Sequence, residues 1–107
     1  MSEINQIVIS GELYNDPTPL KFGDGNTGAG ITIVQYVQRE GKDPSKRFFS
    51  GCAWSPEAAN DLLSGKYHKG DKIIISGKLD ERKWKDSKTD EWKSQVQINV
   101  NGVILCR

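Results

Sequence analysis

"DKIIISGKLDERKWKDSKTDEWKSQVQINVNGVIL", residues 71–105, sets two strand-like runs on either side of a charged middle. "DKIIISGKL" (71–79) is β-branched and reads as a strand, the fourth along the chain. "EWKSQVQINVNGVIL" (91–105) alternates Val96, Ile98 and Val100 with polar residues, the period of a half-buried strand. A turn near Asp86–Asp90 joins them, so the stretch predicts one long hairpin with a charged far end. Trp84 and Trp92, two of only three tryptophans, fall in that charged end. Tryptophan ordinarily buries a large apolar surface. These two therefore either cap a small core or wait for a partner.

Three more strands precede the hairpin. "INQIVISGEL" (4–13) alternates around Ile7, Ile9 and Leu13 until Asp16-Pro17-Thr18-Pro19 breaks it. "KFGDGNTGAG" (21–30) has four glycines and reads as an exposed, mobile loop. "ITIVQYVQR" (31–39) puts Ile31, Ile33 and Val37 on one face and Thr32, Val34 and Tyr36 on the other. The polar turn "EGKDPSK" (40–46) leads to the third strand, "RFFSGCAW" (47–54). Then the period changes. Ser55 is suited to cap a helix, Pro56 to its first turn and Glu57 to its positive end, with closure near Gly65. Three strands, one short helix and a two-stranded hairpin predict an all-β fold: a small closed or partly open antiparallel barrel of five strands, because closure removes exposed edges.

At 107 residues the chain reads as a single domain, 1–107. Apolar residues make up 36% and charged ones 27%, the balance of a soluble protein. The net charge of +1 offers no global field for a polyanion, so such a partner must be held by local clusters. No apolar run approaches a membrane span, and the start lacks a secretory signal. A cytoplasmic, nucleoid-associated setting is expected, with Cys52 and Cys106 as free thiols. Without a CxxC pair, and with His68 as the one histidine, no metal and no other cofactor is expected. Ser10, Ser50 and Ser55 have no base partner beyond His68, and the acids are scattered. "GDGNTGAG" lacks the GK[ST] ending and following helix of a phosphate loop. Catalysis is not expected.

The aromatics are more informative. In 47–54, Phe48, Ser50, Cys52 and Trp54 share one face, and Phe49, Gly51 and Ala53 the other. The small pair suits a crowded barrel interior, which sends Phe48 and Trp54 outward. Lys78, Arg82 and Trp84 share a parity away from Ile73 and Ile75. Flat rings interleaved with cations are what single-stranded nucleic acid requires: bases stack, and Lys and Arg follow the phosphates. Trp92 has the parity of Val96, Ile98 and Val100, so it faces outward only if a bulge or twist turns it. Residues 78–93 nonetheless balance Lys78, Arg82, Lys83, Lys85, Lys88 and Lys93 against Asp80, Glu81, Asp86, Asp90 and Glu91. On pattern alone a nucleic-acid face, a protein-docking surface and plain structural use all stay open.

From Ile4 to Leu105 the chain resembles the DNA-binding domain of bacterial-type single-stranded DNA-binding proteins, which are OB-folds. Gly11, Leu13, Asp16 and Pro17 are similar to the family's Gly-x-Leu-x-x-Asp-Pro turn, and "FFSGCAW" to its aromatic third strand. Lys69, Gly70, Gly77, Leu79, Arg82 and Trp84 align with its Lys-Gly…Gly-x-Leu-x-x-Arg-x-Trp block. The resemblance implies an OB barrel with the helix between its third and fourth strands and a long hairpin between its fourth and fifth. It implies sequence-independent binding and protection of single-stranded DNA in replication, recombination or repair.

Carried over residue by residue, base stacking falls to Phe48, Trp54 and Trp84, with Trp92 at a tyrosine position of the returning strand. Phosphate contacts fall to Arg82, Lys83, Lys78, Lys93 and Arg39. A homotetramer paired through the first strand is implied, with a homodimer as the smaller alternative. Some positions depart from the family. Arg39 stands where a stacking aromatic is usual, only Lys21 answers the arginine after the Asp-Pro turn, and Ser55-Pro56 replaces Gly-Lys. The sequence ends at Cys106-Arg107 without the acidic C-terminal tail that recruits replication enzymes. That ending suits a phage- or plasmid-encoded form, or the related primosomal OB-fold adaptor whose main role is protein docking.

Overall fold

The computed structural model describes residues 3–21 and 27–106. Along them run β1 (Ile7–Leu13), β2 (Thr18–Lys21), β3 (Thr27–Arg39), β4 (Lys42–Ala53), α1 (Pro56–Leu62), β5 (Lys72–Lys85) and β6 (Trp92–Cys106). The hydrogen-bonded order is β1-β5-β6-β4-β3-β2, and β1 also pairs with β3 at Glu12↔Val34 and Leu13↔Ile33. That last pairing closes β1, β5, β6, β4 and β3 into the expected five-stranded barrel. β2 is a sixth, short strand on the outer edge of β3. One contact is parallel, β4 to β6, and it is brief: Gly51↔Ile98 and Cys52↔Asn99. Above it the two strands part, leaving a cleft lined by Phe48, Phe49, Leu79, Val96 and Ile98.

The barrel interior follows the period-2 pattern that wrote it. Leu13, Ile31, Ile33, Ile73, Ile75, Ile98 and Val100 form the core with Ala29 and Ala53. Gly51 faces Val100 so closely that a Cβ there would stand 2.9 Å from its Cγ2. This is why the inward side of β4 shrinks from Phe49 to Gly51 and Ala53. α1 packs against β3, β4 and β6 and adds Ala58, Ala59 and Leu62 to the core. Its start is as expected: the Ser55 hydroxyl accepts from the Ala58 N–H at 3.3 Å, and Pro56 takes the first turn.

Two loop readings are corrected. Residues 27–30 are not loop but the start of β3, paired to β2 and β4, with Ala29 fully buried. Their glycines serve close packing, not mobility; residues 22–26 of that reading lie outside the described residues. The turn assigned to 40–46 is only Glu40-Gly41, with Gly41 at φ 70°. Lys42–Lys46 belong to β4, and Pro44 sits in the register irregularity opposite Val37–Arg39, where its missing N–H is tolerated.

β5 and β6 pair from Lys72↔Cys106 to Lys85↔Trp92. The partner of Ser76 is Gly102 and that of Gly77 is Val100, so Asn101 is an extra residue in β6. Beyond this bulge Val103 and Leu105 are the residues packed on the core, whereas before it Ile98 and Val100 are. The strands then run on past the barrel as a two-stranded arm, exposed from Lys78 outward on β5.

Candidate nucleic-acid interface

β4 presents Phe48, Ser50 and Cys52 outward, with Trp54 just past its last residue. Phe48 is 51% exposed. Trp54 is half-buried, because its indole lies against Gly28: a Cβ there would be 2.9 Å from ring atom Cε3 and 3.1 Å from Cζ3. The glycine that composition suggested for a loop is instead the seat of an aromatic ring. Beside Phe48 stands Tyr14, edge to face, with ring centroids 5.1 Å apart and planes at 84°.

The arm completes this face. Side chains opposite each other on paired strands share a side, so Lys78, Arg82 and Trp84 stand with Asn99, Gln95 and Lys93. Asn99 is also the cross-strand partner of Cys52, which makes the β4 row and the arm row continuous. The Arg82 guanidinium lies 5.7 Å from the Trp84 ring centroid, a cation–π contact that leaves Trp84 37% exposed. Beside the β4 row, over β2 and β3, lies a groove of about 300 Å³ lined by Asp16, Thr32, Ser50, Cys52 and Arg82 among others. The Cys52 thiol at its base lies 3.7 Å from Gln97 Oε1. Burial raises the thiol's pKa, and the nearby Arg82 charge only partly counters this, so the thiol is neutral at ordinary pH.

The remaining candidates are distributed differently. Lys83 stands on the opposite side of β5 from Arg82 and pairs with Glu81 at 3.1 Å. Lys93 pairs with Asp86 at 2.9 Å, and Lys85 with Asp90 at 3.1 Å. Asp86 also accepts from the backbone N–H groups of Lys88 and Thr89; with Lys93 first among them, these contacts hold its pKa below the usual carboxylate range. Arg39 lies at the exposed β3–β4 turn, opposite Lys42. Trp92 has Lys85 as its partner, which places it on the reverse of the arm from Trp84. The bulge at Asn101 is on the other side of the core strands from Trp92, so it does not turn the ring. Trp92 is 73% exposed because the arm has left the barrel, and with Lys83, Lys93 and Ser94 it lines a shallow pocket.

Two exposed aromatics were absent from the sequence-derived set. Tyr14 carried a usable signal, since it follows the inward Leu13 and must point out. Tyr36 is exposed with the Lys46 amine 5.8 Å from its ring. Among the described residues no cluster of His, Cys, Asp and Glu suited to a metal ion is found, and no helix is long and apolar enough to cross a membrane.

Residues 4–106 match the Single-strand binding protein family. The chain is 29% identical over 100 residues to single-stranded DNA-binding protein 1 of Chlorobaculum tepidum, covering 89% of this chain and 60% of that protein. It is 26% identical over 113 residues to the single-stranded DNA-binding protein of Borreliella burgdorferi, covering 96% of this chain and 70% of that one. The chain thus spans less than two thirds of the first relative's length. Its fold is shared with the Plasmodium falciparum SSB solved in complex with ssDNA, at a TM-score of 0.79 and 16% identity, over 100% of this chain and 98% of that one.

Proposed function

Because the chain belongs to the single-strand binding protein family, we propose that it binds and protects single-stranded DNA as a binding protein, not an enzyme. The observation that carries this reading is the continuous outward face from Phe48, past Cys52 and Asn99, to Arg82 and Trp84. Rings open to solvent receive unpaired bases, which stack without regard to identity, and Lys78 and Arg82 lie beside them for the phosphates. Trp54 closes the far end of the β4 row on its Gly28 seat. Arg39 and Lys46 extend the cationic edge along the β3–β4 turn. Relatives named for single-stranded DNA binding support the ligand class.

The assembly we propose is a homotetramer. β1 pairs with β5 along Ile7–Glu12 but with β3 only at Glu12 and Leu13, so its other edge has no strand partner from Ile7 to Gly11, where the Gln35 side chain donates to the Ser10 carbonyl at 2.8 Å. On the outside of the same three strands Val8 and Ile104 are exposed and Ile74 is partly buried. An open edge and an adjoining apolar face offer two self-complementary contacts, enough for a dimer of dimers. The single-strand reading is tested by gel shift of single-stranded DNA, duplex and RNA at two salt concentrations. Preferential shift of single-stranded DNA is expected; equal, weak shifts of all three would favour the adaptor reading, for which the exposed Leu79, Val96 and Trp92 strip would serve as the docking face.

A further inference from the structure

We infer that Tyr14 is itself a nucleobase-binding residue, forming with Phe48 a right-angled corner that seats one base of the bound strand. The inference rests on the single-strand reading above and adds to it a residue outside the Phe48–Trp54–Trp84 set. A base stacked flat on one ring of a perpendicular pair brings its edge against the other ring, so the corner stops the base from sliding where a lone platform does not. Both rings keep about half their surface open, at 49% for Tyr14 and 51% for Phe48, which leaves room for that base. Tyr14 is also held still. Its N–H donates to the Thr32 carbonyl at 2.9 Å. The neighbouring Leu13 is buried and bonds both Asp71 and Gly70 through its backbone. Two residues on, Asp16 Oδ1 accepts from the Lys69 N–H at 2.7 Å. A ring mounted on backbone pinned at three points is preorganised, and binding loses little freedom there.

The corner also lies on the path of the strand. The groove that Arg82 lines is also lined by Asn15 and Asp16, directly after Tyr14, and by Ser50, two residues from Phe48. A strand leaving Trp84 through this groove meets the Tyr14–Phe48 corner next.

Photo-crosslinking tests the placement in the unaltered protein. Tyr14 is the only aromatic between Met1 and Lys21, so a tryptic peptide 1–21 cross-linked to an oligonucleotide bearing halogenated uracils reports on it alone. The expected result is adducts on peptide 1–21 alongside peptide 48–66, which carries Phe48. Adducts on 48–66 with none on 1–21 would overturn the corner while leaving single-strand binding in place. No adduct anywhere, with no oligo-dT binding, would remove the underlying reading instead. In a second arm, Tyr14→Ala is expected to weaken oligo-dT binding about tenfold with an unchanged melting temperature, Tyr14→Phe to bind like the parent, and Tyr14→Ala with Phe48→Ala to be less than additive. Parent-like affinity of a folded Tyr14→Ala, or full additivity, would count against it.

Discussion

Trp84 and Trp92, at the outer end of one hairpin, stand on opposite faces of it: Trp84 is directly across from Lys93, and Trp92 from Lys85. A strand lying along the Phe48–Arg82–Trp84 face cannot touch Trp92 without passing round an edge or the tip of the arm. Trp84→Ala is therefore expected to cost about 1–3 kcal/mol of binding for oligonucleotides of any length that bind, with the fold retained, since the ring is outside the core. Trp92→Ala should match the parent on short oligo-dT and fall behind only on longer strands. Fluorescence titration across a length series measures both. Equal losses at every length would mean the two faces are not separate.

Salt dependence should be shallow. Lys83, Lys85 and Lys93 are already engaged by Glu81, Asp90 and Asp86, in exposed pairs that add little to stability. They release no counterion until those pairs open. With Lys78, Arg82, Arg39 and Lys46 as the remaining phosphate contacts, log K against log salt should have a slope of roughly −3. For strands long enough to reach the reverse of the arm, Glu81→Gln and Asp90→Asn free a lysine each and should steepen it while tightening binding at low salt. A steep parental slope that these substitutions leave alone would mean that the intra-arm pairs do not survive in solution.

How much of this was legible in the residues depended on whether the signal was local. The outward row of Phe48, Cys52 and Trp54 was, because Gly51 and Ala53 between them can only face a crowded interior. The barrel was legible for the same reason, since period 2 within each strand sets which side is buried. Gly28 and Gly30 misled because composition reports conformational freedom, whereas Gly28 is used for the approach of Trp54, a contact made across strands. The Tyr14–Phe48 corner joins residues far apart in sequence, and the arm's ion pairs depend on register. Neither is written in any single stretch.

Gly77 is where β6 carries its extra residue, and its α-carbon faces the Asn99 carbonyl with no space for a side chain. The obstacle is backbone, which cannot swing aside as a side chain does. Gly77→Ala should therefore destabilise by about 1–3 kcal/mol through overpacking and lower the melting temperature, without a direct effect on any DNA-contacting group. Gly65→Ala is the informative control of another kind: nothing lies within 4 Å of its added methyl, but its φ of 90° penalises any side chain. If Gly77→Ala melts like the parent, the strands adjust their register at the bulge.

Tyr67 gives the fold an alkaline limit. Its ring is buried beside α1 and its hydroxyl donates to Asp61 Oδ2 at 2.8 Å. Burial first, then that hydrogen bond and the Asp61 charge, all disfavour the phenolate and push the phenol up to about 12 from an ordinary 10.0. The neutral form is the one that folds, so this contribution is complete below pH 10 and is lost as pH rises from 10 towards 12. Removing the hydroxyl removes both the hydrogen bond and the titration. Tyr67→Phe should lose about 1 kcal/mol near neutral pH, where the bond is intact. It should then lose less than the parent on going to high pH. Melting curves from neutral to alkaline pH, with tyrosinate absorbance followed in parallel, measure the crossover. Parallel declines of the two proteins would show that Tyr67 ionises freely and that some other group sets the limit.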